Sequence, residues 1–305
     1  MPQRQNYSKD QVLTNLSLAH TNPDTSFIAD EVFPRVGVNR VSGTYFQWDK
    51  SNLRAEHDER APGTSANEID YDTSELPFGP LVDHALKHKV TDERVRMSEN
   101  VLEPFKSATR ILTEKSKIAK EIDAAAKMAA ATKGVTVSTS TDKWTHVDSD
   151  PIDQLRTAVS AVKLNSLRKP NTLILGEETV LPLLTNPSVM ALLPDNALRQ
   201  TSLNQIAELI GVNRVIVGDA VKNTAVKGAT DSMSYIWGKN AFVGYMNPTP
   251  AIDDMSAAYT LELTNGWSIS KWYDIDIEST WVRIKRYYEQ KITAQDAIYK
   301  LLSVV

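Results

Sequence analysis

The chain has 305 residues and a formal net charge of −4, from 34 Lys and Arg against 38 Asp and Glu. At about 150 residues per domain this length predicts two domains, and a chain of this size buries roughly 75% of its unfolded surface without staples. Apolar residues at 41% and charged residues at 24% exclude global disorder, while the lack of Cys excludes disulfide frameworks, thiolate nucleophiles and cysteine zinc sites. The mild acidity argues against a generic nucleic-acid binder. No apolar run approaches the ~20 residues of a membrane helix, and the first residues carry no signal-peptide core.

Residues 1–35 read as an arm, with apolar anchors at Tyr7, Leu13, Leu16 and Leu18 and a second patch at Phe27, Ile28, Val32 and Phe33 before Pro34. Residues 41–48 and the pattern around Ile69, Tyr71 and Leu76 are rich in β-branched and aromatic residues, so they predict a long β-hairpin. Its tip is polar and holds a Pro62–Gly63 turn signal. Residues 49–83 carry nine acids and three bases, a balance of −6. A helix is predicted over 98–133, with Ser98 as a candidate cap and Phe105, Ala108, Leu112, Ile118, Ile122 and Ala129 at helical spacing. Residues 84–133 carry eleven bases and seven acids, a balance of +4, so an acidic hairpin precedes a basic long helix.

Residues 134–150 are rich in Thr, Ser and Asp and read as a linker and a domain boundary. Beyond them helix and strand alternate. A helix starts at Asp150–Pro151, buried strands are expected over 169–176 and 214–218, and Gly211 is a helix stop. Residues 221–232 read as loop, followed by strands at 235–237 and 241–245. The last segment is strand again: 259–263, a long extended run from Trp272 to Tyr288, and an apolar end over 297–305.

Signatures of chemistry are missing. There is no G-x-G-x-x-G, no phosphate-binding loop and no G-x-S-x-G elbow. His84 and His88 have i, i+4 spacing, but the Glu of a metal-binding H-E-x-x-H is absent and the segment looks extended, so a solvated or interface pair is the better reading. The acid pairs Asp58–Glu59 and Asp253–Asp254 fall in polar stretches and read as solvated surface. The basic runs Arg283–Arg286 and Lys115–Lys117 are diluted by acids and read as ion-paired faces. No cofactor site is expected.

The order of parts carries the functional reading. It runs arm, acidic hairpin, long helix, compact α/β region, then long return strands and a terminal strand. The segments Pro170–Gly176, Glu177–Pro187 and Gly211–Gly218, with Tyr273–Ser279 and Lys291–Leu301, resemble the major capsid proteins of tailed bacteriophages, the Hong Kong 97-like fold shared with encapsulins. The resemblance implies an α+β fold: N-arm (1–35), extended loop (36–82), peripheral domain with its spine helix (83–150), axial domain (151–267), return strands (268–293) and a terminal strand rejoining the axial domain (294–305). It implies a structural protein, not an enzyme, assembling as pentamers and hexamers into an icosahedral shell around double-stranded DNA. An encapsulin-type compartment around a cargo enzyme is the alternative, and a soluble α/β enzyme would need a polar constellation that the sequence does not show.

In the family the extended loop lies across a neighbouring subunit's peripheral domain. The resemblance therefore implies interface roles for Trp48, Lys50, Arg54, Glu56, Asp58, Glu59 and Arg60 on the loop, and for Arg110, Lys117, Arg283, Lys285 and Arg286 on the helix and return strands. Its implied partners are the chain itself, a separate scaffolding protein (expected if Met1 is the native start), a portal and a decoration protein. Packaged DNA is touched only non-specifically, and no membrane is involved. Some relatives crosslink a loop Lys to an Asn of another subunit. Lys50 lies in that region without an assignable partner, so no covalent crosslinks are expected.

Overall fold

In a computed structural model the described residues are 8–9, 26–48, 50–55, 59, 63, 65, 69–70, 72–98, 103–192, 202–247, 249 and 255–305. Strand β1 (Ser8–Lys9) is followed by helix α1 (Ala29–Val32) and β2 (Arg35–Val38). Strands β3 (Gly43–Trp48) and β4 (Thr73–Phe78) pair antiparallel, with a 3-10 turn at Lys50–Leu53 beyond them. Next come β5 (Val82–Thr91), α2 (Asp92–Arg96) and the 27-residue helix α3 (Glu103–Ala129). After β6 (Gly134–Thr136) and α4 (Pro151–Ser166), β7 (Thr172–Gly176) leads to α5 (Glu177–Thr185), α6 (Pro187–Leu192) and α7 (Leu203–Ile210). The chain closes with β8 (Arg214–Gly218), β9 (Val221–Asn223), β10 (Met233–Tyr235), β11 (Ala241–Gly244), β12 (Ala258–Leu263), β13 (Ser268–Asp274), β14 (Ser279–Ile292) and β15 (Ile298–Leu302).

Two sheets organise these elements. The first is built on β14, whose fourteen residues pair with β5 along one edge and with β13 and then β12 along the other. Strand β2 joins β12 in parallel, and β1 joins β13. Helix α3 covers one face of this sheet. Its Ala108 and Leu112, one turn apart, pack on Val90, Ile269, Val282 and Ile284. The second sheet runs β6-β15-β11-β7-β8. Strand β7, Thr-Leu-Ile-Leu-Gly, is buried at every position, as a strand covered on both faces should be. A Cβ on Gly176 would lie 2.0 Å from the Gly238 carbonyl oxygen, so the close crossing of chain there needs glycine.

Local sequence sets the helix ends. The Asp150 side chain accepts from the Asp153 N–H, with Pro151 in the first turn of α4. Ser202 and Gln205 form a reciprocal capping box on α7, and Gly211 ends that helix at φ 73°. The largest core cluster joins the two sheets: Ile174, Phe242 and Ile298 meet Ala258, Val32, Phe33, Ala124 and Met128.

Several expectations need correction. The run from Trp272 to Tyr288 is not one extended strand but the hairpin β13–β14. Residues 275–278 form its turn, where Ile275 is 79% exposed and Glu278 takes φ 42°. Residues 221–232 are not all loop, since β9 pairs with β10. The strand expected at 235–237 ends at Tyr235, and Trp237 turns into the core instead. Residues 134–150 are no free linker. Strand β6 lies parallel to β15, and buried Trp144 donates its indole N–H to Gln154 at 2.9 Å. Helix α3 starts at Glu103, so Ser98 does not cap it. Tyr7, Leu13, Leu16 and Leu18 lie outside the described residues, as do Asp253 and Asp254.

Candidate assembly surface

Alternation along β14 sends Val282, Ile284, Arg286 and Tyr288 toward α3, and Trp281, Arg283, Lys285 and Tyr287 to the other face. The ladder sets Trp281 opposite Lys89 and Trp272, Arg283 opposite Lys87, and Lys285 opposite Ala85. One open sheet face thus carries Lys87, Lys89, Arg283 and Lys285 among three aromatic rings. Lys87 Nζ sits 4.3 Å from the Trp281 ring centre, Arg283 lies 5.5 Å from that of Trp272, and Lys285 Nζ 4.5 Å from that of Tyr287. The two indoles stack at 6.3 Å. Two acids share the face: Asp83, paired with Lys285 at 2.8 Å, and Asp274, which accepts the Trp281 indole N–H at 3.1 Å. Four cations against two anions leave it positive.

The covered side of the same sheet holds a polar junction. Glu121 of α3 is fully buried. Its carboxylate accepts from the N–H of Ile28 at 3.0 Å, the N–H of Ala29 at 2.9 Å and the Trp237 indole at 2.6 Å. It therefore caps α1, which has no cap of its own, from 93 residues away. Burial pushes the Glu121 carboxyl up, and the three donors oppose that shift. Beside it, buried Lys120 pairs with Asp30, which also pairs with Arg35 at 2.5 Å. Asp30 is partly desolvated, but the Arg35 hydrogen bond and the Lys120 charge hold its carboxyl well below the usual carboxylate range. The arm, the long helix and the connection between β10 and β11 thus converge on two adjacent residues of α3.

The hairpin β3–β4 stands apart. Among the described residues, none from 39 to 80 belongs to a hydrophobic cluster, and the two strands pair only with each other. An isolated two-stranded hairpin is marginal in water, so this element is built to lie on something else.

No family model matches the chain. In sequence it is 25% identical over 241 residues to the major capsid protein of Burkholderia phage BcepMu, covering 78% of this chain and 76% of that one. It is 25% identical over 269 residues to the major capsid protein of Pseudomonas phage JBD67, covering 85% and 82%. In structure it matches a phage-related protein of Bordetella bronchiseptica with a TM-score of 0.74 at 20% identity, covering 98% of this chain and 99% of that one. The capsid structure of cyanophage P-SCSP1u matches with a TM-score of 0.60 at 10% identity, covering 99% and 90%. The fold is Hong Kong 97-like.

Within this capsid fold the residues singled out from sequence do not share one surface. Lys50 sits in the 3-10 turn beyond β3 and pairs with Asp296 at 2.7 Å. Arg54 and Glu59 are exposed. Glu56, Asp58, Arg60 and the Trp48 side chain lie outside the described residues. Arg110 is exposed and pairs with Glu114, and Lys117 lies 5.9 Å from the Phe27 ring; both are on α3, across the sheet from Arg283 and Lys285. Arg286 needs correction. It is 6% exposed, paired with Glu262 at 3.4 Å and seated over the Trp267 ring, so it serves the interior of its own chain. A run of basic letters is split by a strand's twofold alternation, which sends Arg286 inward and Arg283 and Lys285 outward.

Sequence reasoning missed Lys87, Lys89, Glu121 and Trp237. The signal for the first two was the alternation Lys87-His88-Lys89 on an edge strand. No local signal marked Glu121, because its partners are 92 to 116 residues away.

The two histidines lie on a strand, where i, i+4 spacing sets them about 13 Å apart, too far to share a metal. His84 instead stacks on the Tyr288 ring at 4.0 Å. Burial lowers its pKa below the ordinary 6.5, against Asp123 of α3 and Asp83 of its own strand, while Lys127 adds to the lowering. Arg286 lies directly across the ladder. The unfolded chain binds this proton more readily, so the His84 contribution is complete above the unfolded pKa near 6.5 and is lost as pH falls through the lower folded value. We expect His84→Gln to flatten the decline of thermal stability between pH 7 and pH 5, measured by calorimetric melts. An unchanged acid slope would contradict this role.

Proposed function

We propose that this chain is the major shell subunit of a tailed phage, assembling as pentamers and hexamers into an icosahedral capsid around double-stranded DNA. It is a shell-forming structural protein: both sequence relatives are major capsid proteins, and the fold is that of phage shells along nearly the whole chain. Those relatives also favour a phage shell over a cargo compartment. We read the chain as structural and not catalytic. The domain plan carries over as N-arm, extended loop on β3–β4, peripheral domain on the first sheet with α3 as its spine, and axial domain on the second sheet. A scaffolding protein, a portal and a decoration protein are the further partners this reading implies, with assembly in the host cytoplasm and the virion as destination.

The observation that carries the assembly mechanism is the pairing of an acidic hairpin that belongs to no hydrophobic cluster among the described residues with a positive, aromatic stretch of sheet face. The hairpin of one copy lying on the strand face of the next satisfies both. Charge complementarity sets the register, and the Trp272 and Trp281 rings supply apolar area. The test is Lys87→Glu with Lys89→Glu. Both side chains are exposed, so the subunit folds and melts within a few degrees of the parent. Shell yield, read by sedimentation, should fall at least about tenfold, because like charges juxtaposed at an interface cost several kcal/mol. Normal yield would contradict the proposed face.

A further inference from the structure

The hairpin is attached to its own chain at two places. At its root, the Gly79 N–H donates to Glu289 at 3.0 Å, the Lys291 ammonium donates to the Pro77 carbonyl, and Lys291 also sits 5.5 Å from the Tyr45 ring. At its far end, Lys50 Nζ reaches Asp296 Oδ2 at 2.7 Å. Between the two, the hairpin is a single stiff piece. Six cross-strand pairs run from Gly43↔Phe78 to Trp48↔Thr73. Beyond them the Asn52 side chain clasps Asp72 twice, its amide donating to the Asp72 carbonyl at 2.8 Å and its oxygen accepting the Asp72 N–H at 2.7 Å. A stiff piece held at both ends lies along the chain; held only at its root, it swings.

The far contact is the weaker one. Lys50 is 56% exposed and Asp296 27% exposed, and among the described residues Lys133, at 3.9 Å, is the other cation at Asp296. Exposed ion pairs of this kind hold weakly and are screened by salt. The root contacts, by contrast, run through backbone groups of the hairpin itself.

We propose that the Lys50–Asp296 pair is a latch that parks the acidic hairpin on its own subunit, and that its release frees the hairpin to reach a second copy. The inference rests on the hairpin-exchange reading above, which it extends with a regulatory step. A parked hairpin cannot cover a neighbour, so a subunit stays soluble until the latch opens. Because the latch is one exposed pair, the attraction of a neighbour's positive face for the hairpin's acids can outweigh it without unfolding any core.

The chain has no cysteine, so a spin-label pair at Leu53→Cys and Val135→Cys, both exposed, is unique. Interspin distances are measured by pulsed resonance on dispersed subunits, and assembly separately by light scattering. The parent should give a narrow distance distribution. Asp296→Lys, which sets two cations face to face, should broaden and lengthen it, and Lys50→Glu with Asp296→Lys should narrow it again. In the scattering assay Asp296→Lys should shorten the lag by about two- to fivefold, the range exposed ion pairs span. A distribution that is already broad in the parent, or that ignores Asp296→Lys, overturns the latch. Distances that respond while the lag lengthens or stays the same overturn its regulatory role. Distances that respond in a subunit that never assembles support the latch and count against the shell reading instead.

Discussion

A subunit lacking residues 52–66 is expected to fold normally and to build no shell. The deletion removes the tip of the hairpin, whose described residues Asn52, Leu53, Arg54, Ala55, Glu59, Gly63 and Ser65 are exposed. All three hydrophobic clusters lie elsewhere. Shortening a surface loop by fifteen residues changes its closure entropy by only about 1 kcal/mol, so the melting temperature should move by no more than a few degrees. Assembly is a different matter. Among the described residues the hairpin contributes to none of the hydrophobic clusters, and its acids are what a positive neighbouring face would bind. Calorimetry and electron microscopy on the same preparation separate the two outcomes. Normal particles would remove the hairpin from the assembly mechanism, and an unfolded subunit would show that it serves its own chain.

The second large effect is on stability. Glu121→Ala takes the acceptor from the N–H groups of Ile28 and Ala29 and from the Trp237 indole, all in a buried setting. Leaving a buried donor unsatisfied costs about 1–3 kcal/mol each, so three should cost at least about 3 kcal/mol. In a chain of this size that is a fall of roughly 5 °C or more in melting temperature. Glu121→Gln keeps one accepting oxygen and sheds a desolvated charge, so its loss should be less than half as large. Hydrogen exchange should show protection lost first over residues 27–38, the strap that Glu121 seats against the long helix. A melt within a degree of the parent for Glu121→Ala would contradict this account.

Much of this fold is legible in the sequence. The five-residue buried strand Thr172–Gly176, the Asp150–Pro151 helix start and the Gly211 stop are local signals, and each marks an element that forms. The hairpin arms showed themselves by β-branched and aromatic content and by the polar stretch between them. What failed were features decided at long range. The turn at 275–278 carries no glycine or proline, so Ile275 and Ile277 read as strand. Trp144 in a Thr- and Ser-rich stretch read as linker until the edge of β15 gave that stretch a partner. Arg286 read as surface because charge counts ignore which side of a strand a residue faces. Glu121 looked like any helix-surface acid. The positive face was only half visible, since Arg283 and Lys285 are joined there by Lys87 and Lys89 across almost two hundred residues of sequence.

A shell subunit must close a particle from copies of itself. Negative-stain microscopy with light scattering on the purified protein, alone and with its neighbouring genes co-expressed, tests it most directly. Closed icosahedral particles or rings of five and six subunits are expected. A stable monomer or dimer under every condition would contradict it.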